Sequence, residues 1–146
     1  MSLARLAILS QFHRDIQALR DALIGLNNTQ LVDPSFDAES TVAERLALVA
    51  AYYIREGEIL AYQSGQQNDL PLDDDETWHF EAIRTRINWT LLEMQNDLED
   101  AWEFYGQMLK DATDSDYLAY LQAHEGALQR PAYELSREIG AWRLRS

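Results

Sequence analysis

The chain has 146 residues, of which 47% are apolar, with 25 acidic and 12 basic side chains for a formal net charge of −13. That length and apolar content fit one domain with one substantial core and exclude a disordered chain. The acidic balance argues against nucleic acid and anionic membranes as partners, because both attract positive charge, and the absence of cysteine excludes disulfides, thiolate nucleophiles and cysteine-ligated zinc.

Six glycines and three prolines are few for this length, and with abundant Ala, Leu, Glu and Gln they favour an all-α fold. The first helix is expected from Leu3 to Ile24, with an apolar stripe of Leu9, Phe12, Ile16, Leu19 and Leu23, and Gly25 and Asn27-Asn28 ending it. A loop follows from Thr29 to Glu39, with a turn at Pro34-Ser35. The second helix starts near Ser40, where Ser40 or Thr41 caps it and Glu44 completes a capping box. Its stripe is Val42, Leu46, Val49, Tyr53 and Leu60, with Glu56 at the step before Leu60 and a second row through Leu48, Tyr52, Ile59 and Tyr62. Ser64-Gly65 stops it.

The third helix is expected to be the longest. Asp73 to Glu76 cap its start and supply the acids that the helix dipole favours. Phe80, Ile83, Ile87, Leu91, Met94, Leu98, Ala101, Tyr105 and Leu109 then recur at steps of three and four, the spacing of a bundle core. A capping break at Ala112 to Ser115 leads to a short helix from Asp116 to about Leu128, with Tyr117, Leu121 and Leu128 on one side. Gly126 and Pro131 separate it from a last helix with Leu135, Ile139 and Trp142 on one face. No apolar run reaches the ~20 residues of a membrane helix. Arg5, Gln11, His13 and Arg14 interrupt the opening residues as they would not in a signal peptide, so a cytoplasmic protein is expected.

Three stretches resemble the DinB/YfiT-like superfamily, most closely its ClbS/DfsB-like group. They are Thr41 to Leu60 with Leu46-Ala47, Tyr52 and Gly57-Glu58; Glu76-Thr77-Trp78 running on to Asp114-Ser115-Asp116-Tyr117-Leu118; and Arg130-Pro131-Ala132-Tyr133 with Ile139 to Arg143. The resemblance implies a four-helix bundle, here a single domain over residues 1–146 with an extra short helix before the last. It also implies a homodimer and a cavity near Leu48 and Glu134. The superfamily's metal-binding histidines fall at Leu48 and near Glu134, so no metal or other cofactor is expected.

The remaining chemistry is sparse. His79 opens the third helix and His124 lies beyond its end; ~30 helical residues span ~45 Å, so the two are not expected to share a metal. His13, beside the Phe12/Ile16 stripe, reads as a partly buried packing residue. Glu76-x-x-His79 matches half of a di-iron carboxylate site, with no second motif, and Glu76 serves as a first-turn acid. Asp97, Glu99, Asp100 and Glu103 read as a solvated acidic face. Trp89 and Trp102, off the main stripe, read as packing and dimer contacts.

Glu56 has two readings. Facing the core, burial would disfavour its charged form and suit it to general acid or base work. At the stripe edge it would pair with an arginine such as Arg14 or Arg20, the reading adopted, with Arg55 pointing elsewhere. No phosphate loop or Gly-x-Ser-x-Gly motif is present. The functional expectation is a metal-free bundle that binds a small molecule or partner in stress or self-protection, with cavity residues Leu48, Tyr52, Glu56 and Glu134. The alternatives are a non-metal enzyme acting on a reactive small molecule through Glu56, Glu134 or a tyrosine, and a purely structural dimer.

Overall fold

The computed structural model describes residues 2–71, 73–124 and 128–145, all helices and connections with no strand among them. Helix α1 spans Leu3–Leu23, α2 Asn28–Leu31, α3 Val42–Gln63, α4 Asp75–Thr85, α5 Leu91–Asp111, α6 Asp114–Ala123 and α7 Pro131–Arg145. No helix among the described residues is long and apolar enough to cross a membrane.

Local chemistry sets most helix ends. Ser2 caps α1, and the pairs Asn27/Gln30, Thr41/Glu44, Thr90/Glu93 and Thr113/Asp116 form reciprocal capping boxes on α2, α3, α5 and α6. Helix α1 ends at Gly25, whose φ of +83° is a left-handed conformation that glycine adopts without a Cβ clash. Arg143 from α7 donates to the carbonyls of Ala22 and Ile24 there, satisfying acceptors the helix leaves open. Arg5 does the same for α5: buried itself, it donates to the carbonyls of Leu109 and Lys110 and to Asp114 Oδ1.

Two expectations need correction. The loop from Thr29 to Glu39 contains the last three residues of a one-turn helix, α2, because Asn27 and Gln30 cap each other and Leu31 is buried beneath them. The single long third helix is two helices. Residues 86–90 leave the helix, with Asn88 at φ 66° and Thr90 starting a new N-terminus whose Leu91 amide donates to Asn28 Oδ1. Arg86 braces the break, donating to Asp97 at 2.6 Å and to the Ala82 carbonyl at 3.0 Å. Phe80 and Ile87, expected in the core, are therefore exposed, at 64% and 67%. Asp97 is a half-buried partner of Arg86 in the break and Glu99 binds Arg20 of α1, so the supposed acidic face is partly a set of tertiary ion pairs. The short helix begins two residues before Asp116 and ends at Ala123; the break expected at Gly126 lies outside the described residues.

The four long helices touch in the pairs α3–α5, α1–α7, α1–α5 and α3–α7, while α4 and α6 both rest on α3. Leu19, Leu46, Leu60, Leu98, Leu135 and Ile139, one or two from each long helix, are sealed between them. The expected α3 stripe of Val42, Leu46, Val49, Tyr53 and Leu60 is buried throughout, and so is Glu56. Trp102 is buried and Trp89 packs against the core edge.

Helices α3 and α5 approach closely at Gly57. A Cβ built there would stand 2.5 Å from Cε2 of Phe104, inside van der Waals contact. Gly57→Ala is expected to destabilise the protein by about 1–2 kcal/mol through overpacking. Chemical denaturation would measure this, and the penalty should shrink in a Phe104→Ala background because the clashing ring is gone.

Candidate functional site

The site grows from the one acidic side chain buried in α3. Glu56 is 5% exposed, and its Oε2 is the meeting point of two side chains, Tyr120 of α6 and His124, which caps the end of α6. The Tyr120 hydroxyl donates to it at 2.6 Å, and His124 Nε2 lies 2.7 Å away. Tyr120 and His124 are four residues apart, so they share one face of α6 and reach one carboxylate together. Behind them the Tyr105 hydroxyl of α5 stands 3.1 Å from that of Tyr120, continuing the chain of hydrogen bonds into the core.

The partners of His124 decide where its protons lie. Nδ1 is 2.9 Å from the Tyr120 carbonyl, which only accepts, so Nδ1 carries hydrogen. Nε2 faces a carboxylate oxygen, and the short contact needs a proton between them. The pair thus holds one proton more than a neutral imidazole beside a bare carboxylate. The hydrogen bond to Glu56 accordingly raises the His124 pKa, burial opposes it, and the Tyr120 carbonyl and the Glu56 charge add to the rise. Burial, reinforced by the Glu56 charge, pushes the Tyr52, Tyr105 and Tyr120 phenols up, so they stay protonated at neutral pH.

This has a pH consequence of definite sign. A histidine whose folded pKa lies above its unfolded one binds its proton more tightly when folded. The His124 contribution is fully present below its ordinary pKa of about 6.5 and is lost as pH rises through the raised folded value. Stability curves of wild type and His124→Ala are expected to converge as pH rises from 6 to 9. Parallel curves would rule out a raised His124 pKa.

A cavity of about 290 Å³ opens beside this cluster. Helix α3 supplies Leu48, Val49, Tyr52 and Glu56, α4 supplies Asp75, Trp78 and His79, and the start of α7 supplies Pro131 and Glu134. Gln129, Arg45 and Arg55 complete the wall. Among the described residues no hydrogen bond reaches Glu56 Oε1, although that atom is not sealed from solvent. The carboxylate is thus anchored through one oxygen and offers the other to the cavity.

All four cavity residues named from the sequence, Leu48, Tyr52, Glu56 and Glu134, line this one cavity. Glu56 is deeply buried and Glu134 sits on the exposed rim in the first turn of α7. The expected arginine partner of Glu56 is corrected. Arg20 grips Glu99 through Nε and Nη2, at 2.6 and 2.7 Å, and Glu56 is held by His124 and Tyr120. Arg55, expected to point away, lies over the Trp78 ring at 5.7 Å, donates to the Asp73 carbonyl and forms part of the wall. His13 is exposed against the edge of Phe12, not partly buried.

Sequence reasoning missed His124 and Tyr120. The Tyr120/His124 spacing was a visible signal, but their target lies 64 residues away from Tyr120 and comes within reach only because α6 folds back on α3. His79 also lines the cavity, since the break after Thr85 frees α4 to lie on α3. Among the described residues no group of three or more His, Asp or Glu side chains is placed to hold a metal ion.

Comparison of the chain with models of known families, with curated proteins and with solved structures finds no match.

Proposed function

We propose that the chain is a metal-free four-helix bundle of the DinB/YfiT-like kind, nearest the ClbS/DfsB-like group, that binds a small molecule in the cavity beside Glu56. The mutual packing of α1, α3, α5 and α7 supports the bundle. The cavity wall at Leu48 and Glu134, where that superfamily places histidines, supports the kinship. A role in stress or self-protection follows from the kinship alone.

One observation carries the binding reading. Burying a carboxylate costs several kcal/mol unless hydrogen bonds compensate it. Tyr120 and His124 both compensate Oε2, while Oε1 has no donor among the described residues and Glu56 lines a cavity whose wall mixes Leu48, Val49, Tyr52, Trp78 and Pro131 with charged side chains. Apolar surface beside polar groups held in fixed positions is what a small-molecule site uses to bind and orient its ligand.

The test is a fragment screen observed by NMR on the full chain. Bound fragments are expected to move the indole and imidazole signals of Trp78 and His79, and Leu48→Trp, which fills the cavity, is expected to abolish those shifts. A screen that leaves both side chains unmoved would refute the binding reading.

A second reading, an enzyme acting on a reactive small molecule, is favoured by the proton held between Glu56 and His124, which a substrate could receive or replace. Turnover lost in Glu56→Gln with ligand binding retained would select it. A homodimer fits the exposed Val32 and Ile87, which flank one groove with Trp89. Light scattering of wild type and Ile87→Glu would decide it.

A further inference from the structure

We infer that the cavity ligand is an organic cation, a primary amine on a compact apolar body whose ammonium is received by Glu56 Oε1; this rests on the binding reading above.

The charged groups of the wall are unequally committed. Arg45 is already paired, with Glu138 at 2.6 Å and Asp37 at 3.9 Å. Arg55 donates to the Asp73 carbonyl and stacks on Trp78. On the acidic side, Asp75 accepts from Trp78 Nε1 through Oδ1 alone. No hydrogen bond or ion pair reaches the Glu134 carboxylate among the described residues. Both arginines of the wall thus already have an oxygen partner, whereas Glu56, Asp75 and Glu134 each keep at least one carboxylate oxygen without a donor among the described residues.

Glu56 makes this more than a patch of acids. Its side chain is 7% exposed, and the oxygen facing the cavity has no donor. An ammonium brings three donors and can serve this oxygen and a rim acid together. The Tyr52 ring in the wall suits a cation by the charge distribution of its face, as the Trp78 ring already does for Arg55. Leu48, Val49 and Pro131 give the attached hydrocarbon an apolar wall. The net charge of −13 concentrates cations around the molecule before they bind.

Hexylamine, hexanol and hexanoate share a chain length and differ in charge, so titrating each into the full chain while following the Trp78 indole signal isolates the ammonium. Hexylamine is expected to bind at least about tenfold more tightly than the other two, the effect of one charge-assisted hydrogen bond. Glu56→Gln is expected to remove about that factor. Glu134→Gln lies on the exposed rim, leaves the buried cluster intact and is expected to weaken hexylamine severalfold, so the test survives if the Glu56 variant does not fold. Equal or tighter binding of hexanol or hexanoate overturns the cation inference and leaves the binding reading standing. Silence of all three probes while fragments from the screen still shift Trp78 also overturns it. Silence of probes and fragments together overturns both.

Discussion

Glu56→Ala is expected to unfold about 3–5 kcal/mol more easily than the wild type, measured by urea denaturation. The substitution removes the shared acceptor of the Tyr120 hydroxyl and His124 Nε2, leaving them only the Tyr105 hydroxyl and the Tyr120 carbonyl as partners, and leaves a void. Tyr120→Phe removes one donor and keeps the carboxylate, so a smaller loss of about 1.5 kcal/mol is expected. In Glu56→Gln the His124 pKa should fall back towards that of an ordinary histidine, because the hydrogen bond to Glu56 is the largest cause of its rise. A stability loss below about 1 kcal/mol for Glu56→Ala would mean that the carboxylate is not buried in solution. It would remove the basis of the proposed site.

Trp142→Ala is expected to cost about 3–5 kcal/mol, the range for deleting a buried aromatic ring. Trp142 is 3% exposed, meets Phe36 edge to face at a centroid distance of 5.5 Å and donates from Nε1 to Ser35 Oγ at 3.1 Å. Ser35 and Phe36 lie in the connection between α2 and α3, so one indole pins that connection to α7. Its loss should therefore also speed proteolysis between residues 32 and 41. Trp142→Phe keeps most of the apolar contact and is expected to cost about half as much. Unchanged proteolysis in Trp142→Ala would show that Phe36 holds the connection without the indole.

The periodic rows of α1, α3 and α7 were legible because each is a property of a single helix. Phe12, Ile16, Leu19 and Leu23 on α1, and Leu135, Ile139 and Trp142 on α7, are all buried as their spacing requires. The third helix was misread for an instructive reason. The three-and-four spacing continues through Ile83, Ile87 and Leu91, but a regular spacing cannot show that the backbone between them is helical. The contrary signal was present in Thr90-x-x-Glu93, a capping box in the middle of the supposed helix. Asn88 with its positive φ, and Arg86 held by Asp97, complete the break.

The candidate site divides along the same line. Leu48, Tyr52 and Glu56 could be grouped from the sequence because they belong to one helix, and Glu134 joined them by resemblance to a family pattern. No local rule could choose between Arg14, Arg20 and His124 as the partner of Glu56, since every choice depends on which helix covers α3. The amino-acid sequence by itself determined the all-helical class, the capped helix starts and the face that each long helix buries, because these depend on residues within a few turns of one another. Only the tertiary structure decided that α6 returns onto α3, that His124 and Tyr120 hold one oxygen of Glu56 and that the other faces a cavity. Those contacts join residues more than sixty positions apart, where a carboxylate takes whichever donors packing brings within hydrogen-bond reach.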